Sequence, residues 1–130
     1  MDRAPPYVTA RSWAIFDAKT SKFLFGKLES EWWEIASLTK LMVALTVIKV
    51  CEWLDIDYEK EMIRVEGECL NITGTSAKLW EGDHLTIKQL LYGLLLPSGN
   101  DAGYLLADYF GKLLFKSKKN QTEKIWSDYE

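Results

Sequence analysis

The sequence has one histidine, His84, two cysteines, Cys51 and Cys69, and three prolines in 130 residues. No CxxC or Cys/His spacing links them, so no metal site is expected and no cofactor is implied. Buried thiols are the simpler reading of the cysteine pair, because a disulfide needs both proximity and an oxidising compartment. The longest apolar runs, "LMVALTVI" and "LLYGLLLP", fall far short of the roughly 20 residues that a bilayer span requires. No basic-then-apolar segment opens the chain as a secretory signal would, so a soluble protein is expected, with any export signal lying outside this sequence. Charge of one sign is also missing: 16 basic against 19 acidic residues leave a net of −3, which gives no reason to expect nucleic acid or an anionic membrane as partner. The one basic cluster, "KSKK" at 116–119, reads as a solvated helix end. There is no internal repeat.

With 48% hydrophobic and 27% charged residues, the chain can bury a core and reads as a single domain over 1–130. "SWAIFDAKTSKFLFGK" reads as an antiparallel hairpin around a polar turn at Ala18–Ser21. From Ser37 to about Trp53, Leu38, Leu41, Met42, Leu45 and Ile48 recur at helical spacing while Val43, Ala44 and Val47 fill the other side. A helix apolar nearly all round belongs inside a domain. "EMIRVEGE" is a short strand candidate, and "NITGTSAKLWEGDH" is rich in turn formers. Thr86-Ile87-Lys88-Gln89 has the form of a capping box opening a helix. That helix should stop at Pro97, which disfavours helical geometry in the residue before it. A further helix from about Asp101 would bury Ala102, Leu105, Leu106, Tyr109, Phe110 and Leu113.

Two motifs carry chemistry. In "EIASLTKLMV", Ser37 and Lys40 stand three apart, with Cβ atoms about 5–6 Å from each other on one helix face. A serine hydroxyl is a weak nucleophile until a base takes its proton, and lysine serves as that base where apolar surroundings disfavour the ammonium form. The first helical turn also favours a developing oxyanion. By composition an SxxK arises in roughly one chain of this length in two, so a capping serine followed by an exposed lysine is a competing reading. In "PSGNDA", Ser98 and Asn100 lie in a helix-breaking loop from which both side chains can enter a cleft. There Ser98 could relay a proton and Asn100 hold a substrate amide. The bland alternative is a polar turn in which Asn100 or Asp101 caps the next helix.

Together, "IASLTKLMVAL", "GTSA" and "EGDHLTIKQLLYGLLLPSGNDAGYLLADYFG" resemble the penicillin-binding D-alanyl-D-alanine carboxypeptidases of low molecular weight, relatives of the class A β-lactamases. The resemblance spans about residues 8–115, with 116–130 a polar tail. It implies an α+β domain of serine β-lactamase type, present in part: an N-terminal hairpin plus a helical subdomain. It further implies Ser37 as the nucleophile, Lys40 as the general base, Ser98 as the proton relay and Asn100 as a contact for substrate and Lys40. The substrate would be a peptide ending in D-Ala-D-Ala, penicillins would trap the same serine, and the location would be extracytoplasmic.

The family's third motif, a Lys-Thr-Gly or Lys-Ser-Gly on a strand lining the cleft, does not occur in the sequence. That strand would bind the substrate carboxylate and supply one oxyanion amide, whose loss costs about 10²- to 10³-fold in rate. An incomplete fold with an exposed sheet edge is therefore expected, and with it a protein partner that completes or covers that edge. The domain is then either the first part of an enzyme or a non-catalytic subunit of a larger assembly. Trp32-Trp33 reads as loop packing and Trp126, near Tyr129, as an interface anchor. "NIT" at Asn71 and "NQT" at Asn120 match glycosylation sequons, which matter only in a secreted chain.

Overall fold

The computed structural model describes the backbone of residues 7–127 and the side chains through 116. The Trp126, Tyr129 and Asn120 side chains lie outside that range. The chain divides into two compact units, residues 1–34 and 35–130.

The first unit is the expected hairpin. Strands β1 (Trp13–Asp17) and β2 (Lys22–Lys27) pair antiparallel, Trp13 opposite Lys27 and Asp17 opposite Lys22, with a register slip between Ile15 and Phe16. Asp17 builds the turn by accepting from the Lys19 and Thr20 amides at 2.8 and 3.3 Å, the local bonding for which aspartate is favoured in turns. The Phe16 and Phe23 rings meet edge to face with centroids 5.5 Å apart. Ile15, Phe16, Phe23 and Leu24 are nevertheless all exposed. Trp32 is fully exposed, contrary to the packing expected of it, whereas Trp33 lies beneath the Arg11 guanidinium at 5.7 Å.

The second unit is a helical assembly. After a 3-10 turn (Ala36–Leu38) comes α1 (Thr39–Leu54), then β3 (Met62–Arg64), a 3-10 turn (Gly67–Asn71), β4 (His84–Thr86), α2 (Ile87–Leu95) and α3 (Asn100–Ser127). Strand β4 pairs antiparallel with β3. The core joins Ala44, Val47 and Cys51 of α1, Ile87, Leu90, Leu91 and Leu94 of α2, and Ala102, Leu105, Leu106 and Phe110 of α3. Both cysteines are free and buried, and burial pushes both thiols up.

The start of α2 shows why it begins where it does. Thr86 Oγ1 accepts from the Gln89 amide at 3.1 Å and Gln89 Oε1 accepts from the Thr86 amide at 2.8 Å. Glu61 and Tyr58 carbonyls take the next two free amides, those of Ile87 and Lys88. Thr86→Ala is expected to lower unfolding stability by about 1 kcal/mol, read by urea denaturation.

Two expectations need correction. Helix α1 is not enclosed: Leu41, Met42 and Leu45 are between 50% and 63% exposed, because the face that meets the core is the one carrying Ala44, Val47 and Cys51. The end of α2 has a different cause from the one expected. Leu96, directly before Pro97, keeps helical angles (φ −72°, ψ −59°). The helix stops because Pro97 has no N–H to continue it and Ser98 turns left-handed at φ 58°.

Candidate active site

Ser37 sits in the 3-10 turn that leads into α1, and Lys40 is the second residue of that helix. Their three-residue spacing brings Lys40 Nζ to 3.4 Å from Ser37 Oγ. Ala36 before the serine is left-handed at φ 44°, as is Ser98 across the cleft. Such angles cost a residue with a Cβ about 1–2 kcal/mol and persist where the surroundings enforce them.

The Ser98 hydroxyl donates to Ser37 Oγ at 2.9 Å, and Lys40 Nζ donates to Asn100 Oδ1 at 2.7 Å. All four predicted site residues therefore meet in one cluster. Beside it lies a shallow cavity of about 320 Å³ whose walls include Ile35, Leu38, Leu41, Leu94 and Leu95. The arrangement can move a proton from Ser37 to an amine and return one through a second hydroxyl.

Sequence reasoning missed the segment that orients this cluster. Asn100 Nδ2 donates to the Thr73 carbonyl at 2.9 Å and the Asn100 amide donates to the Thr75 carbonyl at 2.8 Å. Since a carbonyl can only accept, the side-chain nitrogen must face Thr73, which turns the oxygen toward Lys40. The Thr75 hydroxyl donates to the Ser98 carbonyl. Gly74, at φ 97°, passes so close that a Cβ there would stand 2.7 Å from Asn100 Nδ2. The turn-rich composition of "NITGTSA" was the available signal, but it gave no partner for these groups.

A larger cavity, about 720 Å³, is bordered by Met62, Cys69, Tyr104, Asp108, Tyr109 and other residues, and touches none of the four. Of its lining groups, the Tyr109 hydroxyl donates to Glu61 at 2.7 Å and Lys112 pairs with Asp108 at 2.6 Å. Burial, then the bond to Glu61, pushes the Tyr109 hydroxyl up to about 12, so it stays protonated. Ser37, Lys40 and Ser98 line the smaller cavity.

A family model described as D-alanyl-D-alanine carboxypeptidase matches residues 1–113. The chain belongs to the D-alanyl-D-alanine carboxypeptidase family. A carboxypeptidase of this name from Streptomyces sp. strain K15 is 37% identical over 93 residues, which is 71% of this chain and 32% of that protein. DacD of Escherichia coli K12 is 31% identical over 130 residues, 93% of this chain and 33% of that protein. Among solved structures, the D-alanyl-D-alanine carboxypeptidase DacD of Francisella tularensis aligns with TM-score 0.74 at 26% identity, over 96% of this chain and 30% of that one. Penicillin binding protein 6B of Escherichia coli aligns at 0.68 and 31%, over 82% and 35%. The fold is thus an incomplete α+β domain of penicillin-binding, β-lactamase-like type. The chain spans 25% to 33% of the length of the curated relatives it matches.

Proposed function

We propose that residues 1–130 form part of a serine D-Ala-D-Ala carboxypeptidase domain in which Ser37 is the nucleophile. The convergence of Lys40 Nζ and Ser98 Oγ on Ser37 Oγ carries this reading. Ser37 Oγ attacks the carbonyl carbon of the penultimate D-alanine while Lys40 takes its proton. The tetrahedral adduct collapses as the peptide C–N bond breaks, and Ser98 passes a proton to the departing D-alanine amine. Water then hydrolyses the ester and regenerates Ser37. A β-lactam enters by the same attack but keeps its leaving group tethered. Asn100 holds Lys40 in place and offers its carboxamide to the substrate.

The absence of a Lys-Thr-Gly or Lys-Ser-Gly triplet from the sequence makes competence depend on a strand supplied from outside these residues. The exposed apolar face of α1 supports a second reading, a non-catalytic subunit whose partner covers this surface. The test is to measure penicillin labelling and D-alanine release by the chain alone and with a segment that bears the third motif. Negligible turnover alone and joint recovery of labelling and monodispersity on complementation are expected. A partner that restores monodispersity without any reactive serine favours the structural role. Enzyme-like D-alanine release by a monomeric 130-residue chain would refute the dependence.

A further inference from the structure

Asp101 is the buried charged side chain among the described residues, 5% exposed, and the steps above do not use it. It stands in the first turn of α3, where the helix amides favour an anion. Its Oδ1 accepts from the Ala77 amide at 2.8 Å and the Ala102 amide at 2.9 Å. Its Oδ2 accepts from the Ser76 hydroxyl at 2.7 Å and the Leu79 amide at 3.4 Å. Three of these four donors belong to a segment more than 20 residues away in sequence that has no strand or helix of its own from Thr73 to Leu79. Burial alone would raise this carboxyl, but the Ala77 amide, the Ser76 hydroxyl and the other donors outweigh it and hold it below the usual carboxylate range.

We propose that Asp101 is a positioning residue whose carboxylate clasps the Thr73–Leu79 segment and thereby fixes the orientation of the Asn100 carboxamide against Lys40. The chain of contacts is direct. The clasped segment supplies the Thr73 carbonyl that holds Asn100 Nδ2, the Thr75 carbonyl that holds the Asn100 amide, and the Thr75 hydroxyl that holds the Ser98 carbonyl. Gly99 leaves no slack beneath it, since a Cβ there would stand 2.7 Å from Asp101 Oδ1 and 2.8 Å from the Ala77 nitrogen. Without the clasp, Asn100 loses the carbonyl that decides which end of its amide faces Lys40. The consequence for catalysis rests on the acyl-transfer reading; the clasp itself does not.

The experiment is amide exchange and side-chain NMR on the 130-residue chain and its Asp101→Ala, Asp101→Asn and Ser76→Ala variants. In Asp101→Ala, protection of the Asn100 backbone amide should fall about 10- to 100-fold, the scale of a lost hydrogen bond to a charged group. The Asn100 side-chain amide protons and the Lys40 ε-methylene should shift, while Leu90 and Leu106 amides keep their protection. Asp101→Asn retains one acceptor oxygen and should give an intermediate loss. Ser76→Ala keeps the charge and removes one donor, so it should loosen Asn100 by a few-fold, and it decides the matter if Asp101→Ala does not fold. Unchanged Asn100 and Lys40 signals overturn the proposal. So does parallel loss of protection at Asn100, Leu90 and Leu106, which would make Asp101 a general stabiliser. Penicillin labelling, read in parallel, bears only on the reaction: an unreactive Ser37 counts against acyl transfer and leaves the clasp to be judged by exchange.

Discussion

Ser37→Ala is expected to leave no covalent label when the protein, with its cleft completed by a third-motif strand, is treated with a fluorescent penicillin. In the proposed reaction the new bond is to Ser37 Oγ, and the other hydroxyl in the cluster, Ser98, is turned to donate toward it at 2.9 Å. Ser98 has no base of its own at that distance, because Lys40 Nζ is shared between Ser37 and Asn100. Lys40→Ala keeps the nucleophile but removes the proton acceptor, so acylation should slow by about 10²- to 10⁴-fold. The two losses should not add, since the serine and its base act in one step. Gel fluorescence with peptide mapping reads both, and unchanged circular dichroism separates them from unfolding. A label that survives Ser37→Ala would place the nucleophile elsewhere.

Leu106→Ala should lower the stability of the helical unit by about 2–5 kcal/mol, the range for emptying a fully buried leucine site. Leu106 is 0% exposed and belongs to the same core as Leu90 and Leu94 of α2 and Ala44 and Val47 of α1. With domains of this size holding only about 5–15 kcal/mol in all, such a loss brings the unit close to unfolding at room temperature. Urea denaturation monitored by helix content measures it. A change under 1 kcal/mol would mean that α3 is not part of the cooperative core.

Much of the site could be read from the sequence because it is encoded locally. Ser37 and Lys40 meet through their three-residue spacing across the 3-10 turn and the start of α1, and the Thr86–Gln89 box announces its own helix start. The hairpin is likewise written in alternating aromatic residues around a polar turn. What could not be read depends on distant partners. The segment from Thr73 to Leu79 has no periodicity, and its bonds to Ser98, Asn100 and Asp101 cross 22 to 27 residues. Strand β4 is three residues long and merges into the α2 cap, so no alternation can mark it. The openness of α1 escaped for another reason. Apolarity all round a helix says that both faces favour burial, whereas the faces actually covered depend on which elements pack against it.

Ser98 and Asn100 stand 61 and 60 residues from the groups they bond, Ser37 and Lys40. Closing a loop of that length costs roughly 3–4 kcal/mol of chain entropy beyond a fixed term, and only the docking of α3 and α2 on α1 repays it. Helix α1 alone can form in under a microsecond or so; it carries Lys40, and the 3-10 turn directly before it carries Ser37. The Ser98 hydroxyl and the Asn100 carboxamide arrive with the slower, non-local steps. A newly made or partly unfolded chain therefore displays the proposed nucleophile before the proposed relay and carboxamide reach it. Under the proposed reaction, the reactivity of Ser37 becomes a clock for the last stage of folding rather than for the appearance of helix.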